Sequence, residues 1–455
     1  MQIDAIKRIY FIGVGGIGMS ALARYFLARN VKVFGYDLTQ TSLTKMLETE
    51  GIEIHYNDDV DLIPKDIDLV VYTPAIPKDH KELNWLQNQG LPIVKRAQLL
   101  GMLSENMKAI AVAGTHGKTS TSALMAHILK YCGLDTTAFL GGILSGYNSN
   151  YIDGSSEYVI LEADEYDRSF LHLYPDYLVI NSLDADHLDI YGSHAEMISA
   201  YEQLTYQVKP GGCVLLMGDF EKLFDSDWRD KLQSRQIRIL NFAFDFFSDN
   251  MRVENSNFMF DFRSKWNCSN DLISIMPGSH NVQNASAAVM ISVLLGLDQQ
   301  MVRKALVEFK GIKRRFEYLL KEPIVMIDDY AHHPTELKKA VETVNSLYSD
   351  KRTLGIFQPH LFSRTKDFYR GFAEELEKLD EIWLLEIYPA REKPMDGVTS
   401  ALIYNLIRND NKRLIKSSEL LDELIKNKER IEVLVTLGAS DIDKYHQKMI
   451  EIFKT

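Results

Sequence analysis

The stretch KAIAVAGTHGKTS, residues 108–120, joins an apolar run to a glycine-rich turn and a lysine. Residues 108–113 have the composition of a buried strand, and a helical pattern over residues 122–126 follows the turn. A strand that leads through glycines into a helix presents backbone N–H groups at the positive end of that helix. The arrangement predicts a loop that binds phosphate groups.

The residues of this loop fit a nucleoside triphosphate, although the turn is two residues shorter than the standard phosphate-binding loop. Lys118 is expected to neutralise the β- and γ-phosphates of ATP, and the Thr119 hydroxyl is expected to bind Mg²⁺. A turn without a ligand is the alternative, but it would not need this strand-to-helix setting. The predicted ATP-binding residues of the loop are Gly114, Thr115, His116, Gly117, Lys118, Thr119 and Ser120.

A second glycine segment, GVGGIG at residues 13–18, also follows an apolar run and precedes a helical pattern. Asp37 stands at the end of the next predicted strand. This pattern is typical of a site where a helix N-terminus binds a diphosphate. It does not distinguish a UDP-sugar from NAD or FAD, and a tight turn without a ligand is the alternative.

Acidic clusters follow two further predicted strands of the central segment. EADE at residues 162–165 follows one strand, and DADHLD at residues 184–189 follows another. Each cluster alone is more typical of a solvated loop. Because ligands bind at the carboxyl ends of parallel strands, and Mg²⁺ prefers oxygen ligands, this position favours a metal site. His187 is either a metal-site residue or a hydrogen-bonded structural histidine.

Polar residues also follow two predicted strands near the carboxyl end of the chain, at residues 328–336 and 358–365. Arg315 and Arg364 suit the clamping of a carboxylate or phosphate, since a guanidinium offers two parallel donors; a surface ion pair is the alternative. The adjacent histidines His332 and His333 do not predict zinc, because no third ligand is spaced near them.

Length and pattern together predict three α/β domains in series. A chain of 455 residues suggests about three domains, and strand and helix patterns alternate throughout. We predict a Rossmann-like domain at 1–105, a phosphate-loop ATPase-like domain at 106–312 and a Rossmann-like domain at 313–455, each a largely parallel sheet flanked by helices. Residues 244–275 alternate in polarity and suggest an antiparallel excursion.

The bulk composition argues against several classes of protein. The net charge of −12 disfavours nucleic-acid binding, and three scattered cysteines form neither a disulfide framework nor a zinc set. The first residues lack the pattern of a secretory signal, and no apolar stretch reaches the roughly 18 residues of a membrane span. We therefore expect a cytoplasmic protein that binds no membrane.

Taken in order, the motifs resemble those of the Mur ligase family over nearly the whole chain. The resemblance is carried by GTHGKT at residues 114–119, the clusters around Glu162 and His187, HNVQNA at 280–285, RRFE at 314–317 and DYAHHPT at 329–335. It implies that the first domain holds UDP-N-acetylmuramate, the second binds ATP, and the third closes over both with L-alanine between them.

The resemblance also implies roles for individual residues. Lys118 and His187 would be catalytic. The implied ATP contacts beyond the loop are Asn281, Asn284, Arg315 and Asp329. The implied contacts to the UDP-substrate are Gly15, Gly16, Ile17, Gly18, Asp37 and Thr73. His332, His360 and Arg364 would bind the amino acid, and Thr119, Glu162 and His187 would bind Mg²⁺, with two ions expected.

The activity implied by the resemblance is ATP-dependent joining of L-alanine to the lactyl carboxylate of UDP-N-acetylmuramate through an acyl phosphate, by a monomer or homodimer. A ligase of the same family that attaches a preformed peptide to this sugar nucleotide is one alternative. A nucleotide-dependent oxidoreductase would explain residues 13–18 but gives no role to Lys118 or the acidic clusters. A nucleotide-switch protein is disfavoured, since no Asn-Lys-x-Asp motif occurs.

Overall fold

The computed structural model of the chain describes residues 3–186, 188–254, 257–390 and 392–454. The chain forms two compact units. The first contains Met1–Met251, Phe260–Ile273 and Asn281–Lys310, and the second contains Arg252–Met259, Ser274–His280 and Gly311–Thr455. No helix within the described ranges is both long enough and apolar enough to cross a membrane.

The first sheet of the first unit has five strands in the order β3-β2-β1-β4-β5, and every pair is parallel. Its strands are β1 (Arg8–Ile12), β2 (Lys32–Tyr36), β3 (Glu53–His55), β4 (Leu69–Tyr72) and β5 (Ile93–Lys95). The helices that accompany them are α1 (Ile17–Ala28), α2 (Ser42–Glu50), α3 (Lys81–Asn88) and α4 (Arg96–Asn106). This is the parallel α/β arrangement that the sequence predicts.

The second sheet has seven strands in the order β12-β11-β10-β6-β9-β7-β8, all parallel except β8, which runs antiparallel to β7. Its strands are β6 (Lys108–Ala113), β7 (Thr137–Leu144), β8 (Ser149–Ile152), β9 (Tyr158–Glu162), β10 (Tyr177–Ile180), β11 (Cys213–Leu216) and β12 (Arg238–Asn241). Its helices are α5 (Lys118–Tyr131), α6 (Leu188–Tyr191), α7 (His194–Tyr206), α8 (Trp228–Ser234), α9 (Ser279–Leu294) and α10 (Gln299–Glu308).

The stretch of alternating polarity after β12 forms a three-stranded sheet in the order β13-β14-β15. Its strands are β13 (Phe246–Glu254), β14 (Asn257–Ser264) and β15 (Cys268–Ser274). Residues 244–275, for which the sequence suggests an antiparallel excursion, thus contribute a sheet of their own.

The second unit is built on a six-stranded sheet in the order β16-β17-β21-β18-β19-β20, with β16 antiparallel to β17 and the other pairs parallel. Its strands are β16 (Glu317–Leu320), β17 (Val325–Asp329), β18 (Thr353–Phe357), β19 (Glu381–Leu384), β20 (Lys412–Leu414) and β21 (Val433–Leu437). Its helices are α11 (Pro334–Leu347), α12 (Phe362–Leu376), α13 (Ala401–Tyr404), α14 (Leu420–Asn427) and α15 (His446–Lys454). Short 3₁₀ helices along the whole chain lie at Ile3–Ala5, Val60–Leu62, Tyr166–His172, Glu221–Leu223, Ser417–Glu419, Lys428–Arg430 and Ile442–Tyr445.

The two sheets of the first unit share one hydrophobic core. Buried side chains from β1, α1 and α4 belong to the same cluster as buried side chains from β6, β9 and α7. Tyr25 of α1 packs its ring against Phe139 of β7 and Tyr151 of β8, with centroid separations of 5.4 and 6.4 Å. Burial of these rings fixes the first sheet and its glycine segment against the second sheet.

Asn150 of β8 reinforces this junction with buried hydrogen bonds. Its amide nitrogen donates to the carbonyl of Ile17 and, at 3.1 Å, to the Ser20 hydroxyl. Its amide oxygen accepts from the guanidinium of Arg24, whose other nitrogens pair with Glu50 at 2.7 Å. Asn150 thus holds the first turn of α1, which follows the glycine segment, against the edge of the second sheet.

Replacing Asn150 with alanine should lower the free energy of unfolding of the first unit by about 1–3 kcal/mol, because buried polar groups lose their partner. Urea denaturation followed by circular dichroism measures the change. Asn88→Ala, at an exposed position on α3, should change the same quantity by less than about 0.5 kcal/mol. A loss of similar size in both variants would show that the Asn150 hydrogen bonds contribute little.

Candidate active site

The predicted phosphate-binding loop connects β6 to α5, and its two glycines adopt conformations that other residues rarely adopt. The φ angles of Gly114 and Gly117 are +124° and +81°. A Cβ atom on Gly114 would lie 2.7 Å from the backbone nitrogen of Ser182. Glycine at position 114 is therefore needed both for its φ angle and for close packing on the segment after β10.

Ser182, just after the neighbouring strand β10, anchors the loop. Its hydroxyl accepts from the backbone N–H of His116 at 2.8 Å and hydrogen-bonds to the Thr115 hydroxyl at 2.9 Å. The backbone N–H of Thr115 donates to the carbonyl of Ser182 at 3.2 Å. Helix α5 begins directly after Gly117, and no side chain caps it. The N–H groups of its first turn therefore point to where an anion would bind.

The ammonium group of Lys118 is held by three acceptors. Nζ donates to the carbonyl of Gly114 at 2.7 Å and to the two carboxylate oxygens of Glu165 at 2.8 and 2.7 Å. Burial lowers the pKa of Lys118, but the carboxylates of Glu165 and Asp164 raise it more, so its pKa lies above the ordinary value. Lys118 therefore carries its positive charge at neutral pH.

Glu162, at the end of β9, lies beside the loop as a half-buried carboxylate. It accepts from the hydroxyls of Thr119 at 3.1 Å and Ser122 at 3.0 Å, and from the backbone N–H of Gly141 at 2.5 Å. Burial raises the pKa of Glu162 above its ordinary value, against the opposing effect of these donors and of Lys118. A cation beside Glu162 would offset the cost of burying its negative charge.

The predicted metal ligands are partly assembled. Thr119 and Glu162 are in contact, whereas His187 lies outside the described residues. Among the residues that the structure describes, no group of three or more His, Cys, Asp or Glu side chains is arranged to hold a metal. Mg²⁺ at a phosphate-binding loop takes few protein ligands and completes its shell with phosphate oxygens and water. A hydroxyl and a half-buried carboxylate therefore fit such an ion.

Helix α9 brings the two predicted asparagines to the loop. Asn281 and Asn284 are buried, and the amide of Asn284 donates to the amide oxygen of Asn281 at 3.1 Å. A Cβ atom on Gly117 would lie 2.7 Å from Oδ1 of Asn284. The motif at residues 280–285, distant in sequence, thus contributes a neighbour of the phosphate-binding loop.

The first glycine segment forms a compact turn between β1 and α1. The backbone N–H of Gly15 donates to the carboxylate of Asp37 at 2.8 Å, and a Cβ atom on Gly13 would lie 3.2 Å from the Thr73 methyl group. Gly16 precedes α1, and no side chain caps this helix. The predicted UDP-binding residues therefore gather at one edge of the five-stranded sheet.

A cavity of about 210 Å³ lies between the two glycine segments. Ile17 and Gly18 line it from the first segment, and Lys118 and Thr119 line it from the second. The rest of its lining consists of Ala21, Arg96, Leu100, Phe139, Leu140, Gly141, Glu162 and Asp164. A ligand on the first segment and a triphosphate on the second would meet in this cavity.

In the second unit, Asp329 at the end of β17 supports the backbone around it. Its two carboxylate oxygens accept from the backbone N–H groups of Phe316 and Ala331, both at 2.8 Å. Burial raises the pKa of Asp329 to about 6, against the opposing effects of Arg315 and of these N–H groups. Arg315 lies 3.8 Å from Glu336 and above the ring of Tyr330.

The three predicted amino-acid-binding residues gather in this unit. Nη1 of Arg364 lies 3.4 Å from Nδ1 of His360, and the rings of His332 and His360 are 6.3 Å apart. The backbone N–H of His332 donates to Glu336 at 3.1 Å. Two histidines and one arginine near each other form a polar cluster that suits a small carboxylate.

Several residues of the site were not among the predicted site residues. Glu165 lies in an acidic cluster that the sequence marks, but its contact with Lys118 requires β9 to lie beside β6. Ser182 and Gly141 belong to no motif. Arg96 directly follows β5, and this position is the signal that could have found it, since an arginine at the end of a parallel strand lies at the ligand-binding edge.

The chain has three largely parallel sheets flanked by helices, and a phosphate-binding loop follows strand β6 of the seven-stranded sheet. These features define the class of ATP-dependent α/β enzymes. Models of the Mur ligase family match almost the whole chain: the "Mur ligase family, catalytic domain" at residues 8–108, the "Mur ligase middle domain" at 112–292 and the "Mur ligase, glutamate ligase domain" at 314–440. The chain belongs to the Mur ligase family.

Individual relatives agree with this assignment. The UDP-N-acetylmuramate–L-alanine ligase of Christiangramia forsetii is 45% identical and covers 98% of both chains. The enzyme of the same name from Porphyromonas gingivalis is 45% identical, covering 96% of this chain and 97% of its own. The crystal structure of UDP-N-acetylmuramate–alanine ligase from Thermotoga maritima superposes with a TM-score of 0.82 at 29% identity, covering 98% and 99% of the two chains.

Replacing Gly114 with alanine should weaken ATP binding at least about tenfold, because the added Cβ would collide with the backbone at Ser182 and displace the loop. Fluorescence titration with a labelled ATP analogue measures the affinity. Gly133→Ala is the matched control, since Gly133 has a φ of +87° but no atom within 4 Å of its Cβ position. Equal ATP affinity in both variants would contradict the steric role of Gly114.

Proposed function

We propose that the protein is an ATP-dependent ligase that joins L-alanine to the lactyl carboxylate of UDP-N-acetylmuramate, releasing ADP and phosphate, in peptidoglycan precursor synthesis. The observation that carries the proposal is the cavity lined by both Gly18 and Lys118, which would bring the acid of a sugar nucleotide to the γ-phosphate of ATP. The names of the matched relatives support the choice of substrates.

In the first step, the lactyl carboxylate attacks the γ-phosphate and ADP leaves. Lys118 binds the phosphates and stabilises the charge that moves onto the leaving oxygen, while the N–H groups at the start of α5 orient them. The product is an acyl phosphate, which has the leaving group that a free carboxylate lacks. By the family resemblance, we also propose that Asn281, Asn284, Arg315 and Asp329 contact ATP.

Thr119 and Glu162 would hold Mg²⁺, together with His187 by the family resemblance. The ion would supply positive charge to the phosphate oxygens. Ser122 and Gly141 keep the Glu162 carboxylate in one orientation, so that a ligand oxygen faces the hydroxyl of Thr119. A second Mg²⁺ ion belongs to the same proposal.

In the second step, the neutral amine of L-alanine attacks the carbonyl carbon of the acyl phosphate, and the tetrahedral intermediate loses phosphate and one amine proton, which passes to water, to give the amide. His332, His360 and Arg364 are the proposed binding residues for L-alanine. Arg364 suits its carboxylate, since the guanidinium can donate two parallel hydrogen bonds. We further propose that the enzyme acts in the cytoplasm, as a monomer or homodimer.

Replacing Lys118 with alanine should lower the turnover number by about 10²- to 10³-fold, because the lysine stabilises charge that develops in the transition state. The dissociation constant for UDP-N-acetylmuramate should change by less than about threefold, since this substrate binds mainly through the first domain. Phosphate release measures turnover, and calorimetry measures binding. Lys130→Ala, at the other end of α5, is the control and should retain normal turnover.

The identity of the amine is tested by incubating the protein with ATP, Mg²⁺, UDP-N-acetylmuramate and one amine at a time, followed by mass spectrometry of the product. We expect the L-alanyl product, and less product with glycine, which lacks one methyl group worth about 1–3 kcal/mol, or with L-serine, which adds a hydroxyl group. Preferential use of a preformed tripeptide would replace the proposal with the recycling ligase. ATP consumption without any amide product would reject both.

A further inference from the structure

Arg96 is a basic residue at the junction of the two glycine segments. It is the first residue of α4 and directly follows β5 at the ligand-binding edge of the first sheet. Its guanidinium packs on the backbone of Gly18, where an added Cβ atom would lie 2.4 Å from Nη1. The absence of a side chain at position 18 therefore gives Arg96 the space to reach the cavity.

The guanidinium of Arg96 has more N–H groups than it uses in hydrogen bonds. Nη2 donates to the carboxylate of Asp164 at 2.9 Å, and within the described part of the chain no other group accepts a hydrogen bond from this side chain. Lys118, the other cation that lines the cavity, is paired with Glu165 and is the residue proposed to bind the phosphates of ATP. An anion that enters the cavity would therefore find unused N–H groups on Arg96.

The charges that line the cavity also favour an anion at Arg96. The side chains of Arg96 and Lys118 balance those of Glu162 and Asp164, all four of which line the cavity. Mg²⁺ at Glu162 would offset the carboxylate there, so that an anion at Arg96 would not leave the lining with an excess of negative charge. Asp164 holds the guanidinium in place. With one side fixed by this carboxylate, the remaining N–H groups of Arg96 keep one direction.

The reaction itself limits which anion can lie there. The attacking carboxylate must come within about 3–3.5 Å of the γ-phosphorus, and Lys118 and Thr119 are the residues proposed to bind the γ-phosphate. The cavity contains both of these residues and Arg96. By the proposed function, the diphosphate of the sugar nucleotide binds instead at the N-terminus of α1, which no side chain caps.

We propose that Arg96 binds the lactyl carboxylate of the sugar nucleotide and aligns it for attack on the γ-phosphate. Arg96 is thus a substrate-binding residue that distinguishes the acid-bearing sugar nucleotide from one without the acid. This inference rests on the proposed function and adds to it the residue that recognises the reacting group.

The test compares three ligands by calorimetry in the presence of Mg²⁺ and a non-hydrolysable ATP analogue: UDP-N-acetylmuramate, UDP-N-acetylglucosamine, which lacks the lactyl group, and UDP. Arg96→Gln should weaken binding of UDP-N-acetylmuramate by about ten- to hundredfold. Binding of the other two ligands should stay within about twofold of the wild-type value. Arg96→Lys should show an intermediate loss, because it keeps the charge but not the paired donors.

Lys95→Gln is the matched control, since Lys95 is the preceding basic residue and pairs with Asp167 at 3.3 Å but does not line the cavity. It should bind all three ligands as the wild type does. Retained binding of UDP by Arg96→Gln also shows that the variant is folded. Equal weakening of all three ligands, or no weakening of any, would overturn the role of Arg96. Failure of the wild type to bind UDP-N-acetylmuramate would instead reject the proposed function.

Discussion

The partly buried ion pair between Lys118 and Glu165 is the interaction on which the site depends. Removing an ammonium group from water costs several kcal/mol unless a partner of opposite charge and further acceptors are in place. Glu165 is almost fully buried and supplies both carboxylate oxygens, while the carbonyl of Gly114 supplies a third acceptor. Because the acidic segment after β9 has to reach the loop after β6, these two strands must be neighbours, as they are.

The β7–β8 hairpin connects the two parts of the site within the first unit. The backbone N–H of Gly141, in β7, fixes the Glu162 carboxylate, and Asn150, in β8, holds the first turn of α1. The same hairpin contributes Phe139 and Tyr151 to the shared core. The proposed metal carboxylate and the segment proposed to bind the sugar nucleotide are therefore positioned by one element, and a displacement of the hairpin would affect both.

Local sequence patterns are sufficient to predict most elements and the loops that follow them. The apolar runs at residues 108–113 and 158–161 are strands, and the glycine turns precede helices, as predicted. The position of Glu162 at a strand end predicts that it lies near Thr119, and the two side chains are in contact. The same rule does not find Ser182 or Asn150, because their contacts depend on the strand order β10-β6-β9-β7-β8 and on the packing of α1. Such order is a property of tertiary packing, which no single-strand pattern encodes.

The basic run at residues 313–315, in the second unit, is another case in which the sequence alone does not show which contacts a residue makes. Arg314 donates to Asp328 at 3.0 Å and to the backbone carbonyls of Ser440 and Gly438 at 2.9 and 2.7 Å. An arginine whose donors end on buried carbonyls supports the fold. Arg315, in contrast, keeps about a third of its side chain exposed and meets Glu336 only at 3.8 Å. Arg315, and not Arg314, therefore has N–H donors available to a phosphate.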